Sequence, residues 1–343
     1  MPLFLLFALY SKKMKKITNL SNRFMKQLLI SFFTVSTIYL NASASGRGGY
    51  LFAHMTNSDY GSLYYSVSED GINWTTLNCF KKINNFRGHP TFCVGADGQY
   101  YMIGVVSGSP NTPVLWKSKD LINWNIYKNI PQTVFNVGSL GYSTELVWYG
   151  APKMFYDRAS NQYILSWHAP LTGQVTNSQD YWRSMRTFYV LTSDFVNYTV
   201  PKQLFNFTGD FANMATIDAL IYKISGQYYV LVKDERWPGD IPNSSYSGYK
   251  SVLITKSDNL TGPFENPQII TAQWQEAPTL VPKPNSGGWY LYVEKYPTRY
   301  LLYEADAMDC SWTPKNIYPP YARHGSIIWI DKKIYNNVVR AFK

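Results

Sequence analysis

The sequence predicts an all-β fold, a closed propeller of five blades, and three observations predict it. A tag of the form Ser-x-Asp-x-x-x-Trp occurs twice in full and three more times in worn form. Five short apolar strands recur in step with it. The two ends of the chain each hold the part of a blade that the other lacks. Repeats of roughly 40–50 residues built from short strands are the mark of a propeller, which gathers the first strand of every blade around one axis.

The tags come first. Ser68-Glu69-Asp70-Gly71-Ile72-Asn73-Trp74 is followed by the near-copy Ser118-Lys119-Asp120-Leu121-Ile122-Asn123-Trp124. The phrase returns, worn down, as Thr192–Tyr198, Lys256–Phe264 and Asp306–Trp312. Between the tags lie aromatic strands, each after a polar or Gly-containing turn: 98–103, 161–167, 226–232 and 288–293. A turn followed by such a strand is the hairpin signature. Upstream of each lies a candidate first strand: His89–Val94, Ala151–Tyr156, Asp218–Tyr222 and Glu276–Val281, with a fifth, His324–Trp329, near the end of the chain. The N-terminal part has an aromatic strand (Tyr50–Ala53), a following strand (Leu63–Val67) and a tag, but no first strand. His324–Trp329 supplies it, so the ends together make one blade and close the ring without open edges. Helix is expected to be nearly absent, because no stretch after residue 44 shows a 3.6-residue apolar period over three turns. Irregular segments at Asn136–Tyr149, Pro170–Ser184 and Trp237–Tyr249 have the length of loops that line a binding face.

Composition fits such a fold. The 343 residues are 45% hydrophobic and 17% aromatic, with 29 Tyr and 11 Trp. That is enough for a buried core and favours β-structure. The net charge of +10 gives a false impression of a basic protein. Lys12, Lys13, Lys15, Lys16, Arg23 and Lys26 all precede residue 44, where no acid occurs, and without them the surplus is four. No basic tract follows, so no nucleic-acid partner is expected. Residues 1–44 read as an export signal: basic residues end at Lys26, an apolar stretch spans Leu28–Leu40, and Ala42-Ser43-Ala44 is a small-x-small cleavage site. That stretch is shorter than the ~20 residues of a bilayer span. Met14 and Met25 are alternative starts within it. The expectation is a secreted or periplasmic monomer of one domain, residues 45–343, without stable membrane insertion. Cys79, Cys93 and Cys310 make an odd set with no CxxC, read as three buried small hydrophobes rather than a disulfide framework or zinc site.

The chemistry is expected at the axis, where the first strands begin. Reading them in order gives His89, Lys153 just past Gly150-Ala151, Asp218, Glu276 and His324. Two carboxylates facing one cavity are the minimal equipment for cleaving a glycosidic bond: one protonates the leaving oxygen, and another group activates water or tunes the first. Asp218 within Thr216-Ile217-Asp218-Ala219-Leu220, and Glu276 before Ala277-Pro278-Thr279-Leu280, are charges in apolar strands. Such groups are costly without a partner or a task. A structural cap or cross-blade hydrogen bond is the alternative account of both, and a satisfied structural histidine is that of His89 and His324.

At this point the chain resembles glycoside hydrolase family 43, five-bladed propeller enzymes acting on arabinans, xylans and galactans. The phrases that carry the likeness are Tyr50–Ala53, the tags at 68–74 and 118–124, Ile217-Asp218-Ala219, Lys233-Asp234-Glu235, Glu276-Ala277-Pro278 and Arg323-His324-Gly325, spread from about Tyr50 to Trp329. The resemblance implies an inverting hydrolase. Glu276 would be the general acid and Asp218 the carboxylate that orients it and holds up its pKa. His324 would lie low in an axial channel where some relatives hold calcium or ordered water. No cofactor is required by it, and a structural calcium at His324 is the one metal it raises.

The chain departs from that family twice. The usual base is an Asp in Arg-Asp-Pro; here the phrase is Arg87-Gly88-His89-Pro90. The usual Trp-Ala-Pro-Glu appears as Gly150-Ala151-Pro152-Lys153, with Trp148 and Tyr149 before it. Either His89 serves as base, or a rim carboxylate such as Asp59 or Glu145 has taken over, or catalysis is lost and the pocket only binds glycan. Lys153 with His89 also raises a ligand that carries carboxylate or sulfate. Trp148, Tyr149 and Arg299 are expected sugar contacts, by ring stacking and directional hydrogen bonds. The reading is an exported glycoside hydrolase, exo-acting on a plant or algal polysaccharide side chain. Its rivals are a carbohydrate-binding propeller without turnover and, less consistent with acids at the hub, a protein-binding one.

Overall fold

The computed structural model describes residues 48–106, 109–147, 150–242, 244–284, 287–315 and 322–343. Among these residues twenty strands run in chain order. They are β1 (Gly49–Met55), β2 (Tyr64–Ser68), β3 (Thr75–Thr76), β4 (Cys93–Val94), β5 (Tyr100–Val106), β6 (Ser109–Ser118) and β7 (Asn125–Asn129). Next come β8 (Lys153–Asp157), β9 (Gln162–Ala169), β10 (Arg186–Thr192), β11 (Lys202–Gln203), β12 (Thr216–Ile224), β13 (Gln227–Asp234), β14 (Val252–Ser257) and β15 (Gln268–Ile269). The last are β16 (Gln275–Pro282), β17 (Trp289–Lys295), β18 (Arg299–Ala305), β19 (Thr313–Lys315) and β20 (Arg323–Ile330). They form five four-stranded antiparallel sheets, β4 to β7, β8 to β11, β12 to β15, β16 to β19, and β20-β1-β2-β3. The last sheet is the closure that the chain ends foretell: β1 pairs β20 from Gly49↔Ile330 to His54↔Gly325.

Five apolar clusters turn the five sheets into a ring, because each cluster lies between two consecutive blades. Leu51 and Tyr65 of the first blade pack with Met102 and Trp116 of the second. Tyr101 and Leu115 meet Leu165 and Phe188 of the third. Ile164 and Tyr189 meet Val230 and Leu253, and Leu231 and Ile254 meet Leu291 and Tyr303. Tyr292 and Leu302 return to Tyr50 and Phe52, completing the circle. Apolar area removed from water is the main force here, and no blade can bury both faces alone.

The tags are the outer hairpins between the third and fourth strands of the blades. Asp70 Oδ1 accepts from the backbone N–H of Ile72 and Asn73, both at 2.8 Å, and Ser68 Oγ accepts from Gly71 N at 2.8 Å. Asp120 and Asp194 repeat the pattern. The recurring Ser/Thr and Asp therefore satisfy a turn's orphan donors, which is why these residue types recur. The tag Trp adds a tie between blades, with Trp124 Nε1 donating to Tyr65 OH at 2.7 Å.

The inner strands solve a second problem, their unpaired inward edge. Side chains of the adjoining blade accept from it: Phe92 N donates to Ser326 Oγ at 2.8 Å, Ile327 N to Thr279 Oγ1 at 2.9 Å, and Ala277 N to Asp218 Oδ2 at 3.1 Å. The structural role weighed for Asp218 is thus real, and it lies one residue from Glu276.

Four expectations need correction. The strand expected over His89–Val94 shrinks to β4, because Pro90 has no N–H to give and Phe92 N goes to Ser326 of the adjoining blade. Helix is not absent at the C-terminus. A helix α1 (Gln179–Arg183) lies in the segment expected to be irregular, and a longer α2 (Lys332–Ala341) follows β20. In α2, Ile334, Tyr335, Val338 and Val339 form an apolar stripe packed on the first blade, and Asp331 Oδ1 caps Ile334 N at 2.8 Å. That stripe is a helical period the sequence does carry. Tyr335 approaches Gly49 so closely that a Cβ there would lie 2.4 Å from its ring. Finally, only Cys93 of the three cysteines is buried; Cys79 and Cys310 are exposed, and all three are free thiols. The expected export signal lies outside the described residues, among which no helix is long and apolar enough to cross a membrane.

Candidate functional site

Two β-bulges aim the hub carboxylates. In β12 the pairing with β13 slips between Ile217 and Leu220, and in β16 the pairing with β17 slips between Glu276 and Thr279. Asp218 and Ala277 sit in the left-handed region, with φ of 54° and 46°. A bulge adds a residue, bends the strand and re-aims a side chain, and non-glycine residues in this region cluster where a site requires it. Asp is among the few side chains that tolerate the conformation.

His324 joins the carboxylates. Its Nε2 lies 3.5 Å from Asp218 Oδ2 and 3.5 Å from Glu276 Oε1, and its Nδ1 lies 2.7 Å from Glu294 Oε2. Glu294, at 0% exposure, also accepts from His324 N at 2.8 Å and from Arg323 Nε. Lys233 reaches from β13 to Glu276 Oε2 and lies 2.5 Å from Glu235 Oε2, while Lys250 pairs with the other Glu235 oxygen. Opposite stands His89, whose ring centre is 4.6 Å from that of His324. Tyr60 lies edge-on to both histidines. Lys153, also buried, has its Nζ 3.5 Å from Thr91 Oγ1.

These neighbours push the protonation states apart. Burial raises the Glu276 carboxyl; Lys233 and His324 pull it down, Glu294 and Asp218 push it up, and the result is raised. Burial also works to raise Asp218, but its hydrogen bond to His324 and the charges of His324, Lys153 and His168 outweigh that, leaving it well below the usual range. His324 resists its own burial through Glu294, Asp218 and Glu276 and rises to about 10. Burial and then the His324 charge drive His89 well below 6.5. The site therefore combines an ionised Asp218, an imidazolium, a neutral imidazole and a carboxyl disposed to hold a proton. Separated protonation states of this kind assign acid and base roles.

Two groups of ligand-type atoms, His89–Asp218–His324 and Glu276–Glu294–His324, are close enough to surround a cation. They do not fit calcium. That ion takes six to eight oxygen ligands, whereas both sets share the cationic His324, the first offers a single carboxylate beside two imidazoles, and the carboxylates of the second are already met by Arg323 and Lys233. No step below runs through a metal.

The paired histidines make a measurable prediction. His324 has its pKa raised, so its contribution to stability is complete below pH 6.5 and is lost as pH rises to about 10. His89, lowered, and His54, lowered by burial to about 4, act oppositely: the folded state loses stability as pH falls below 6.5. The melting temperature is expected to fall from pH 6.5 toward 10, and His324→Gln to flatten that limb. A limb equally steep in the variant would show that His324 is not its source.

Of the residues singled out in the sequence, the structure brings His89, Lys153, Asp218, Glu276 and His324 to one hub. Arg299 is exposed at the start of β18 and is not among the buried hub groups. Trp148 and Tyr149 lie outside the described residues. Of the alternative carboxylates, Glu145 is exposed, and Asp59 accepts from Ser62 Oγ and Tyr64 OH within its own loop. Glu294 is not singled out by the sequence reading, and Lys233 and Glu235 enter it only within Lys233-Asp234-Glu235. The signal was present: each is a charge at the end of an apolar second strand, Tyr290-Leu291-Tyr292-Val293-Glu294 being the plainest.

Comparison with known proteins bears on this geometry. A family model described as a probable glycosyl hydrolase domain, of a family related to glycoside hydrolase family 43, matches residues 93–336. No curated protein matches the chain. Among solved structures, a thermostable family-43 glycoside hydrolase is similar with a TM-score of 0.50 at 14% identity, over 69% of this chain and 74% of that one. An alpha-L-arabinofuranosidase from Lactobacillus brevis gives 0.47 at 16%, over 68% and 73%. A xylan beta-1,4-xylosidase from Bacillus halodurans C-125 gives 0.44 at 16%, over 68% of this chain and 42% of that one. At such identities the likeness is one of fold.

Proposed function

Since the chain belongs to the family of probable glycosyl hydrolase domains related to glycoside hydrolase family 43, we propose that it hydrolyses O-glycosyl bonds at the hub, by inversion and from chain ends. The observation that carries this is the pair of buried carboxyls with opposite shifts, Glu276 and Asp218, each 3.5 Å from one His324 nitrogen. Glu276 gives its proton to the leaving oxygen. Asp218 stays ionised and, through Ala277 N, fixes the peptide that follows Glu276. His89, neutral, accepts a proton from the attacking water on the opposite face. Action on a plant or algal side chain outside the cell is part of the same proposal.

Lys153 narrows the substrate. Among the described residues it has no carboxylate within salt-bridge distance, though it is buried beside His89. Burial lowers its pKa and outweighs the charge of Asp218, which lies beyond ion-pair distance, and a buried lysine so weakly met is costly unless something anionic completes it. The sugar at the hub therefore carries a carboxylate or sulfate. The experiment is a panel of neutral, uronic and sulfated aryl-glycosides and oligosaccharides, with the product anomer read by NMR. The expected result is an inverted product and at least roughly tenfold higher kcat/KM for the anionic members, a preference that Lys153→Met removes and Lys153→Arg retains. Equal rates on neutral and anionic members would end the anionic reading. Binding without any turnover would instead favour a carbohydrate-binding propeller, a reading supported by the weakly basic His89 at the base position.

A further inference from the structure

The exposed mouth of the fourth and fifth blades carries a pair of tryptophans that the reaction above does not use. Trp237 follows the end of β13 and Trp274 precedes β16; they are 37% and 43% exposed, and their rings meet edge to face at 5.2 Å. Large aromatic rings left in solvent beside a buried polar site need a reason. Trp274 also has φ of 64°, a region that bulky residues rarely enter. Strain of this kind is kept where the surroundings enforce it for a task. It is two residues from Glu276, whose strand is held by Gln275 N donating to Lys250 O at 3.0 Å.

Trp237 is tied to the same carboxyl by a second route. Lys250 Nζ lies 4.6 Å from the centre of the Trp237 ring and pairs with Glu235; Glu235 pairs with Lys233, and Lys233 with Glu276. A buried chain of alternating charges thus runs from the aromatic pair to the proposed acid. Lys250 also has a left-handed backbone, with φ of 56°. Both tryptophans thus lie just beyond the ends of β13 and β16 and are linked to Glu276 by these contacts.

We propose that Trp237 and Trp274 form a stacking subsite for the sugar on the leaving-group side of the scissile bond. The argument is geometric and rests on the hydrolase reading. A general acid lies beside the glycosidic oxygen it protonates, so a wall that adjoins the acid adjoins the departing sugar. Aromatic faces stack on the C–H faces of pyranose and furanose rings and tolerate variation in hydroxyl pattern. The substrate is accordingly an oligo- or polysaccharide extended beyond the bond that is cut, rather than a glycoside of a small alcohol. Lys250, its Nζ over the Trp237 ring, adds a cation–π contact that helps hold that ring in place.

The test separates this subsite from the chemistry. β-1,4-Xylotriose, α-1,5-arabinotriose, β-1,3-galactotriose and trigalacturonate are titrated by calorimetry into the Glu276→Gln protein, each against its monosaccharide. At least one trisaccharide is expected to bind roughly tenfold or more tightly than its monosaccharide, a difference that Trp274→Ala and Trp237→Ala each reduce and Trp274→Phe largely keeps. In turnover, the alanine variants lose at least about ten times more kcat/KM on the trisaccharide than on the corresponding glycosyl fluoride, whose leaving group is too small to stack. Equal affinity for trisaccharide and monosaccharide, no binding by any member, or equal losses on trisaccharide and fluoride would each overturn the subsite. Failure of the hydrolase reading looks different: the wild type then shows the trisaccharide preference without turnover.

Discussion

Glu276→Gln is expected to lower kcat/KM on a natural glycosidic linkage by about 100- to 10,000-fold, the range of a positioned general acid. The amide keeps shape and hydrogen bonding but has no proton to give. The loss should shrink steeply on glycosyl fluorides or dinitrophenyl glycosides, whose leaving groups depart without protonation. The pH profile supplies a second reading. Glu276 is raised by burial and by Glu294 and Asp218, so it sets the alkaline limb of kcat/KM on unactivated substrates. That limb should vanish in the variant when an activated substrate is used. Equal losses on activated and unactivated substrates would mean that Glu276 holds the site together and donates nothing.

The largest effect on stability is expected at Glu294, a residue that touches no substrate in the proposed reaction. It is fully buried and accepts from Arg323 Nε and from both His324 N and His324 Nδ1. Glu294→Leu would leave a guanidinium and an imidazolium without their shared counter-charge. Breaking a buried pair by removing one partner costs about 3–5 kcal/mol, because the remaining charge stays buried and uncompensated. His324 can escape part of this by losing its proton, so its raised pKa should fall, Asp218 and Glu276 alone still holding it up, and the decline in stability above pH 6.5 should flatten in part. Arg323 has no such escape, although its ring contact with Tyr296 and its bond to Asn57 Oδ1 at 2.5 Å persist. Urea denaturation of the two proteins at pH 7 measures the difference. A loss below about 1 kcal/mol, the size of a surface ion pair, would show that water reaches this cluster.

Much of the fold was legible because its causes are local. Ser68, Asp70 and Asn73 close a turn among themselves, so the tag repeats wherever that turn repeats. The aromatic second strands and the incomplete first blade are likewise written in order along the chain. The helix α2 was misjudged because its stripe is short and its partner, the first blade, lies nearly the whole chain away. Strand β4 was overestimated because alternation of apolar residues cannot reveal that Ser326 competes for the backbone of Phe92.

Of the hub, Asp218, Glu276, His89, Lys153 and His324 could be named from one rule, charge or imidazole in an apolar strand. What each does depends on neighbours that the rule cannot supply. The sequence by itself determined the number of blades, the closure by the two termini and which first-strand residues face the axis, since these follow from periodicity and turn chemistry. Only the tertiary structure decided that His324 is charged and His89 neutral, that Glu294 anchors one end of the cluster, and that Trp237 connects with Glu276 through three buried charges. Protonation and coupling arise from distances of a few ångströms between groups on different blades, and a linear pattern contains no such distances.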